Sequence, residues 1–299
     1  MTPVLELDRN EAAERSDEAV RTLEAGGLIL LPRLGFALGP GEASLFDPAR
    51  FDGDWARGRV KNLSYDPETG RLAAKGLDGA ARERLPSMMA RYADQARALL
   101  TDLAPGYAPR LQRRRTSFRP GAVDVRAISP RKDDRRLHVD AFPASPVQGR
   151  RILRVFTNAD PSGRPRVWNV GEPFEAYAAR FLPRVGRPAP AAALALQALG
   201  LTRGRRSPYD HTMLRLHDLA KLDADYAAAA PRREIAFPAG ATWVVFTDAV
   251  PHAALSGRFA LEQTFLLPVE AMAAPERSPL KVLERLTGRL LAGTKPEST

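Results

Sequence analysis

Only four histidines, His138, His211, His217 and His252, occur in this sequence, and two of them stand where a metal ion could be held. His138 and Asp140 form a His-x-Asp in RLHVDAFP. Residues two apart in a strand point to the same face, so an imidazole and a carboxylate are offered together. His252 follows WVVFTDAVP, where an apolar strand ends at Thr247, a turn intervenes and the next strand is about to begin. One imidazole brought to a His-x-Asp places two histidines and a carboxylate on one face of a metal and leaves three positions open. That donor set suits Fe(II) oxygenases, whose open positions take a cosubstrate and O2. A zinc hydrolase could use the same three side chains with water in the fourth position. A cupin-like sugar-binding module without catalysis is the third reading; it would not consume a cosubstrate.

A second group of residues favours an acidic cosubstrate. In RRILRVFTN, Ile152, Arg154 and Phe156 share one face, and Leu153, Val155 and Thr157 the other. An arginine set among apolar neighbours on both faces is partly buried, and a buried guanidinium requires a carboxylate or phosphate. Arg119, in TSFRP, repeats the pattern, and Arg166 and Trp168 are two apart and can point together. Several arginines and a tryptophan converging on an iron site would bind a dicarboxylate such as 2-oxoglutarate. Each arginine taken singly is equally well explained by an internal ion pair. His217 lies with Met213 and Leu214 on one helical face, which reads as a core histidine; His211 reads as a surface or capping residue.

The elements that would position these groups follow from periodicity. GLILLP (27–32), ALGP (37–40) and RLAAKGL (71–77) read as strands bounded by Gly and Pro. A three-four pattern from Met88 to Leu103 predicts a helix over 79–104, interrupted near Pro86. TSFR, DVRAI, RRILRVFTN, REIAF, ATWVVF and FALEQTFLL predict an all-β region, with helices near 172–182 and 189–200. A further helix starts at Ser207, with Pro208 at its first position and Asp210 closing a capping box. A last helix spans about 279–292. Residues 184–190 and 201–208 read as polar loops, so the whole of 1–299 is expected to form one composite domain. Its β core covers about 110–270, wrapped by N-terminal α/β elements (1–109) and the C-terminal helix.

The chain lacks cysteine, which excludes disulfides, thiolate metal sites and cysteine nucleophiles. Its start has no basic segment followed by an apolar one, and no run is long enough to cross a bilayer, so a cytoplasmic protein is expected. The net charge of +10 favours polyanions. Aromatic residues make up only 7% and do not interleave with the basic clusters, so nucleic acid is not the expected partner.

The segments from Arg131 to Glu175, SPYDHTMLRLHDLAKLD and FPAGATWVVFTDAVPHAALSGRFALEQTFLLP closely resemble the Kdo 3-hydroxylases, and the likeness runs from about Arg113 to Pro268. Kdo is 3-deoxy-D-manno-oct-2-ulosonic acid, the acidic sugar of the lipopolysaccharide inner core. The resemblance implies a jelly-roll (double-stranded β-helix) dioxygenase using Fe(II), 2-oxoglutarate and O2. It implies His138, Asp140 and His252 as iron ligands, and Arg119, Arg154, Arg166 and Trp168 around 2-oxoglutarate. It also places His217 near the iron in a catalytic role, which the helical pattern alone does not. The implied substrate is a Kdo-bearing lipid A on the cytoplasmic face of the inner membrane, converted to a D-glycero-D-talo-oct-2-ulosonic acid product. A peripheral enzyme on an anionic membrane follows, and the basic leucine-bearing helix near 279–292 is a candidate anchor.

Overall fold

The structure, a computed structural model, describes residues 2–50, 62–74, 77, 79–123, 128–188 and 190–292. Two sheets face each other. The larger has eight strands in the order β1 (Val4–Glu6), β2 (Leu28–Leu31), β9 (Thr242–Phe246), β6 (Arg151–Asn158), β11 (Ala260–Leu267), β5 (Gln112–Arg119), β3 (Leu63–Asp66) and β4 (Arg71–Ala73). The smaller runs β10 (His252–Ser256), β7 (Arg166–Val170), β8 (Arg233–Phe237). Nearly all pairings are antiparallel; β1 with β2 is parallel. This is the jelly-roll core expected from the sequence, with one extension: the N-terminal strands do not wrap it but lengthen the larger sheet at both edges.

Every residue of β6 is buried, because the larger sheet is covered on both sides. Between the sheets, Phe156, Trp168, Phe237 and Trp243 pack ring on ring, with Phe237 and Trp243 stacked at 4.0 Å. On the other side Leu153 and Val155 join a core cluster with α1 (Ser16–Glu24) and α2 (Gly79–Leu103), through Leu23, Leu99, Leu100 and Leu103. A fully buried strand therefore reads as a continuous apolar run that tolerates only polar groups with partners.

The helices near 172–182 and 189–200 appear as α3 (Phe174–Phe181) and α4 (Pro190–Ala198). Next comes α5 (Pro208–Leu222), whose capping box forms as its sequence requires: Ser207 Oγ accepts from the Asp210 amide at 3.1 Å and Asp210 accepts from the Ser207 amide at 2.9 Å. The short α6 (Ala224–Ala229) follows.

Four expectations change. ALGP (37–40) is not a strand; Arg91 donates to the Ala37 carbonyl and Gln95 to that of Gly35, so side chains of α2 take the acceptors that a ladder would use. Of RLAAKGL only Arg71–Ala73 is strand, and part of the rest lies outside the described residues, as does most of DVRAI. Pro86 does not interrupt α2, because Leu85, Met88 and Met89 are buried around it and that packing outweighs one lost backbone bond. The last helix, α7 (Pro279–Thr287), stops at Gly288, whose φ of +64° ends it in a left-handed cap. Its Leu280, Val282 and Leu283 are buried against the core and Arg285 pairs with Glu175, so its apolar face is spent on packing rather than left for a membrane.

Candidate metal centre

Backbone pairing brings the distant histidines together. His138 and His252 form an isolated antiparallel bridge, with the His138 amide donating to the His252 carbonyl at 3.1 Å and the reverse bond at 2.9 Å. Two residues on, the Asp140 amide donates to the Thr247 carbonyl at 2.8 Å. The His-x-Asp is thus an extended loop rather than a strand, pinned at one end to the start of β10 and at the other to the end of β9. Ligand atoms from His138, Asp140 and His252 lie within 4.8 Å of one another, close enough to hold one metal ion.

The tautomers follow from neighbouring carbonyls. His138 Nδ1 lies 2.8 Å from the Arg136 carbonyl and His252 Nδ1 lies 2.8 Å from that of Val250. A carbonyl only accepts, so each Nδ1 carries the proton and each Nε2 keeps a lone pair for a metal. Burial pushes the His138 imidazole well below its usual pKa, helped by the nearby Lys221 ammonium, and burial likewise lowers His252. Burial would raise the Asp140 carboxyl, but Arg154 holds it below the ordinary carboxylate range. The two imidazoles are neutral and the carboxylate ionised, which is the protonation state that ligation needs.

Beside the triad stands a chain of alternating charges. Arg154 lies 3.2 Å from Asp140 Oδ2 and donates to Glu262 Oε1 at 2.8 Å. Glu262 Oε2 accepts from Arg119 at 2.6 Å and 2.8 Å. Both arginines are therefore ion-paired, as the alternative reading of each allowed. Arg166 differs: it is buried, and its Nε and one terminal nitrogen have no hydrogen-bond partner. Burial, with Arg119 nearby, pushes its pKa down to about 10. Trp168, two residues on, stacks on the His252 ring at 5.1 Å, and its indole N–H is also buried without a partner. Arg154 Nε is likewise buried without a hydrogen-bond partner. Buried polar groups are normally satisfied, so unpartnered donors beside a metal triad fit an anionic ligand that also reaches the metal.

His217 is not the core histidine that its helical pattern suggests. Met213, Leu216 and Ala220 around it are fully buried, whereas His217 is half-buried, 4.9 Å ring to ring from His138, and its Nδ1 donates to the Val139 carbonyl at 2.8 Å. With Nδ1 carrying the proton, its Nε2 keeps a lone pair, and the ring stands edge-on to that of His138. His211 remains near the surface, bonded to the Gly186 carbonyl at 2.9 Å.

Three residues escape the sequence reading. Glu262 sits in an apolar strand, FALEQTFLL, and its register across from Phe156 and Ser117 is the signal that puts it between the sheets. Lys221 is buried and pairs with Asp134 at 3.2 Å, and it lies one turn from His217 on α5. Its pairing with an acid 87 positions away has no local signature.

Gly257 sets the position of Arg166. Its φ is +107°, and an added Cβ would lie 2.9 Å from the Arg166 Cα. Gly257→Ala is expected to destabilise the fold by about 1–3 kcal/mol through strain and forced separation of β7 from the β10–β11 turn. Thermal unfolding checks it, and an unchanged Tm would mean that the approach is not close.

Over residues 6–290 the sequence matches the family described as 3-deoxy-D-manno-oct-2-ulosonic acid (Kdo) hydroxylase. Among solved structures it is similar to the Kdo hydroxylase KdoO, described as a non-heme Fe(II) alphaketoglutarate dependent dioxygenase. The cobalt(II) complex is 44% identical with a TM-score of 0.91, covering 99% of this chain and 100% of that one. The complex with alphaketoglutarate and Fe(III) is 43% identical with a TM-score of 0.90 and the same coverage. The complex with succinate and Fe(III) is 43% identical with a TM-score of 0.89, again over 99% and 100%. Among curated proteins none matches.

Proposed function

The chain belongs to the Kdo hydroxylase family of Fe(II)/2-oxoglutarate dioxygenases, and from that premise we propose that it hydroxylates C3 of Kdo carried on lipid A. The observation that carries the reading is the juxtaposition of a His/Asp/His triad with orphaned cationic and indole donors. Neither a zinc hydrolase nor a plain sugar-binding module needs the second half of that site. We propose that His138, Asp140 and His252 hold the iron, and that Arg119, Arg154, Arg166 and Trp168 surround 2-oxoglutarate.

With 2-oxoglutarate and O2, iron supplies the oxidising chemistry: the cosubstrate becomes succinate and CO2, and the second oxygen atom enters the sugar. The chain's own residues bind, orient and exclude water. The His138–His252 bridge fixes two imidazoles on a common backbone frame, so ligation demands little reorganisation. Glu262 holds Arg119 and Arg154 at set positions and Arg154 in turn steadies Asp140. Trp168 walls one side of His252 and, with Phe156 and Trp243, keeps the site dry. Arg166 offers its unpartnered N–H groups to a carboxylate. His217, beside the triad and outside it, is placed to deliver or accept a proton at Nε2.

The test is incubation with Kdo-lipid A, Fe(II) and 2-oxoglutarate, followed by mass spectrometry of the sugar. Gain of one oxygen atom with matching succinate is expected, and succinate release without sugar oxidation would defeat the acceptor assignment. His217→Ala is expected to lower kcat at least about tenfold with KM nearly unchanged. A fall in Tm without a specific kcat defect would return His217 to a packing role.

Both edge extensions of the larger sheet come from residues 1–109, and this supports one composite domain across 1–299. No helix among the described residues is long and apolar enough to cross a membrane. A glycolipid acceptor keeps its acyl chains in the bilayer, so this reading makes the enzyme a peripheral protein on the cytoplasmic side of an anionic inner membrane.

A further inference from the structure

We propose that α4, with the arginines on either side of it, docks the enzyme on an anionic lipid surface and so brings the metal site to the headgroups. The inference rests on the reading that the acceptor is a membrane glycolipid.

Among the described residues, three of the seven exposed large hydrophobic ones fall in or just after this helix: Leu194 is 51% exposed, Leu199 72% and Leu201 60%. The helix, PAAALALQA, carries one polar side chain, Gln197. A helix apolar all round is normally buried in a core or in lipid, and this one is on the outside. Its flanks say what covers it. From Ala176 to Tyr209 the sequence holds six arginines, Arg180, Arg184, Arg187, Arg203, Arg205 and Arg206, and not one acidic residue. Arg180 and Arg184 are engaged with Glu172 and Asp223, whereas Arg187, Arg203 and Arg205 are exposed. A short apolar helix between basic segments is suited to the interfacial plane of an anionic bilayer, held by apolar burial and by attraction to headgroups.

The element is tied to the site. The Arg203 amide donates to the Ala144 carbonyl at 2.9 Å, and the Arg206 guanidinium donates to that of Pro143 at 2.6 Å. Residues 141–144 follow Asp140 directly, so the docking segment is bonded to the loop that carries a metal ligand. On its other side His211 Nε2 donates to the Gly186 carbonyl at 2.9 Å. By contrast α7 buries Leu280 and Leu283 and leaves Leu286 outward, with Leu290 exposed just beyond its end.

Flotation of the full chain with phosphatidylglycerol/phosphatidylethanolamine vesicles tests the proposal, with phosphatidylcholine vesicles as the neutral comparison. Three variants are compared with the wild type: Leu194→Ser/Leu199→Ser/Leu201→Ser, Arg187→Glu/Arg203→Glu/Arg205→Glu, and Leu286→Ser/Leu290→Ser. The wild type is expected to float with anionic vesicles only. The first variant is expected to lose about tenfold or more of its binding. The second should lose the anionic preference, and the third should bind as wild type. Both α4 variants should keep wild-type turnover on detergent-dispersed acceptor and lose it on acceptor in vesicles. A Leu194→Trp emission that shifts to the blue on anionic vesicles would place the helix in the lipid. An unshifted spectrum, wild-type flotation by the leucine variant, or equal loss by the α7 variant would overturn the proposal. So would a leucine variant that only converts a dimer to a monomer. Absence of any Kdo-lipid A turnover with vesicle binding still dependent on α4 would sink the acceptor reading and leave the docking helix standing.

Discussion

Asp140→Ala is expected to leave the protein folded, strip it of iron and abolish turnover. Asp140 supplies the only carboxylate of the triad, and two imidazoles on the same backbone bridge do not hold Fe(II) tightly against water. Loss of a partner one shell further out already costs metal sites about 10–100-fold in affinity, so loss of a ligand should exceed that. The fold is expected to survive for a specific reason. Arg154, which faces Asp140, keeps its bond to Glu262, so no buried cation is abandoned, and the loop remains pinned through the amides of His138 and residue 140. Metal analysis after dialysis, with succinate formation as the second readout, checks this. Full iron occupancy in the Asp140→Ala protein would remove the residue from the ligand set.

Arg166→Ala should separate stability from cosubstrate affinity. The side chain is a buried cation with two nitrogens lacking partners, so its removal is expected to leave the Tm of the metal-free, cosubstrate-free protein unchanged or higher. Its loss should nonetheless raise KM for 2-oxoglutarate by roughly a hundredfold, the equivalent of about 3 kcal/mol for a charge pair in a dry site. Arg166→Lys should restore little, because an ammonium lacks the planar fork that meets a carboxylate twice. Arg154→Ala contrasts with it. Arg154 is the shared partner of Asp140 and Glu262, so its loss is expected to lower Tm as well as affinity. A Tm that falls in Arg166→Ala with an unchanged KM would make Arg166 a structural cation.

The sequence by itself determined the main strands of the β core, the candidate ligand types and the order in which they arrive, but not the short strands β1 and β3. Period-two apolar runs are local signals, and a His-x-Asp early with a histidine beside the penultimate strand has meaning before any folding is considered. Ser207, Pro208 and Asp210 likewise write the start of α5 in four consecutive residues. Which arginines are satisfied and which are left over was decided by tertiary structure alone. Arg119, Arg154 and Arg166 look alike in sequence, each an arginine among apolar or β-prone neighbours. Glu262 lies across from Ser117 and Phe156, two residues along the neighbouring strands from Arg119 and Arg154, so it bonds to both of these arginines and not to the third, and that distinction depends on register between segments more than a hundred residues apart. The same holds for His217, whose helical face reads as core and whose ring in fact stands beside His138, because a helix's apolar stripe does not say what it packs against. It holds for the two leucine-bearing helices as well. In sequence α7 is the better amphipath and α4 merely apolar, yet α7 finds the core while Leu194 of α4 and Leu199 just after it stay exposed to solvent. Periodicity reports which side of a helix is apolar; only the packing of the whole chain determines whether that side is already covered.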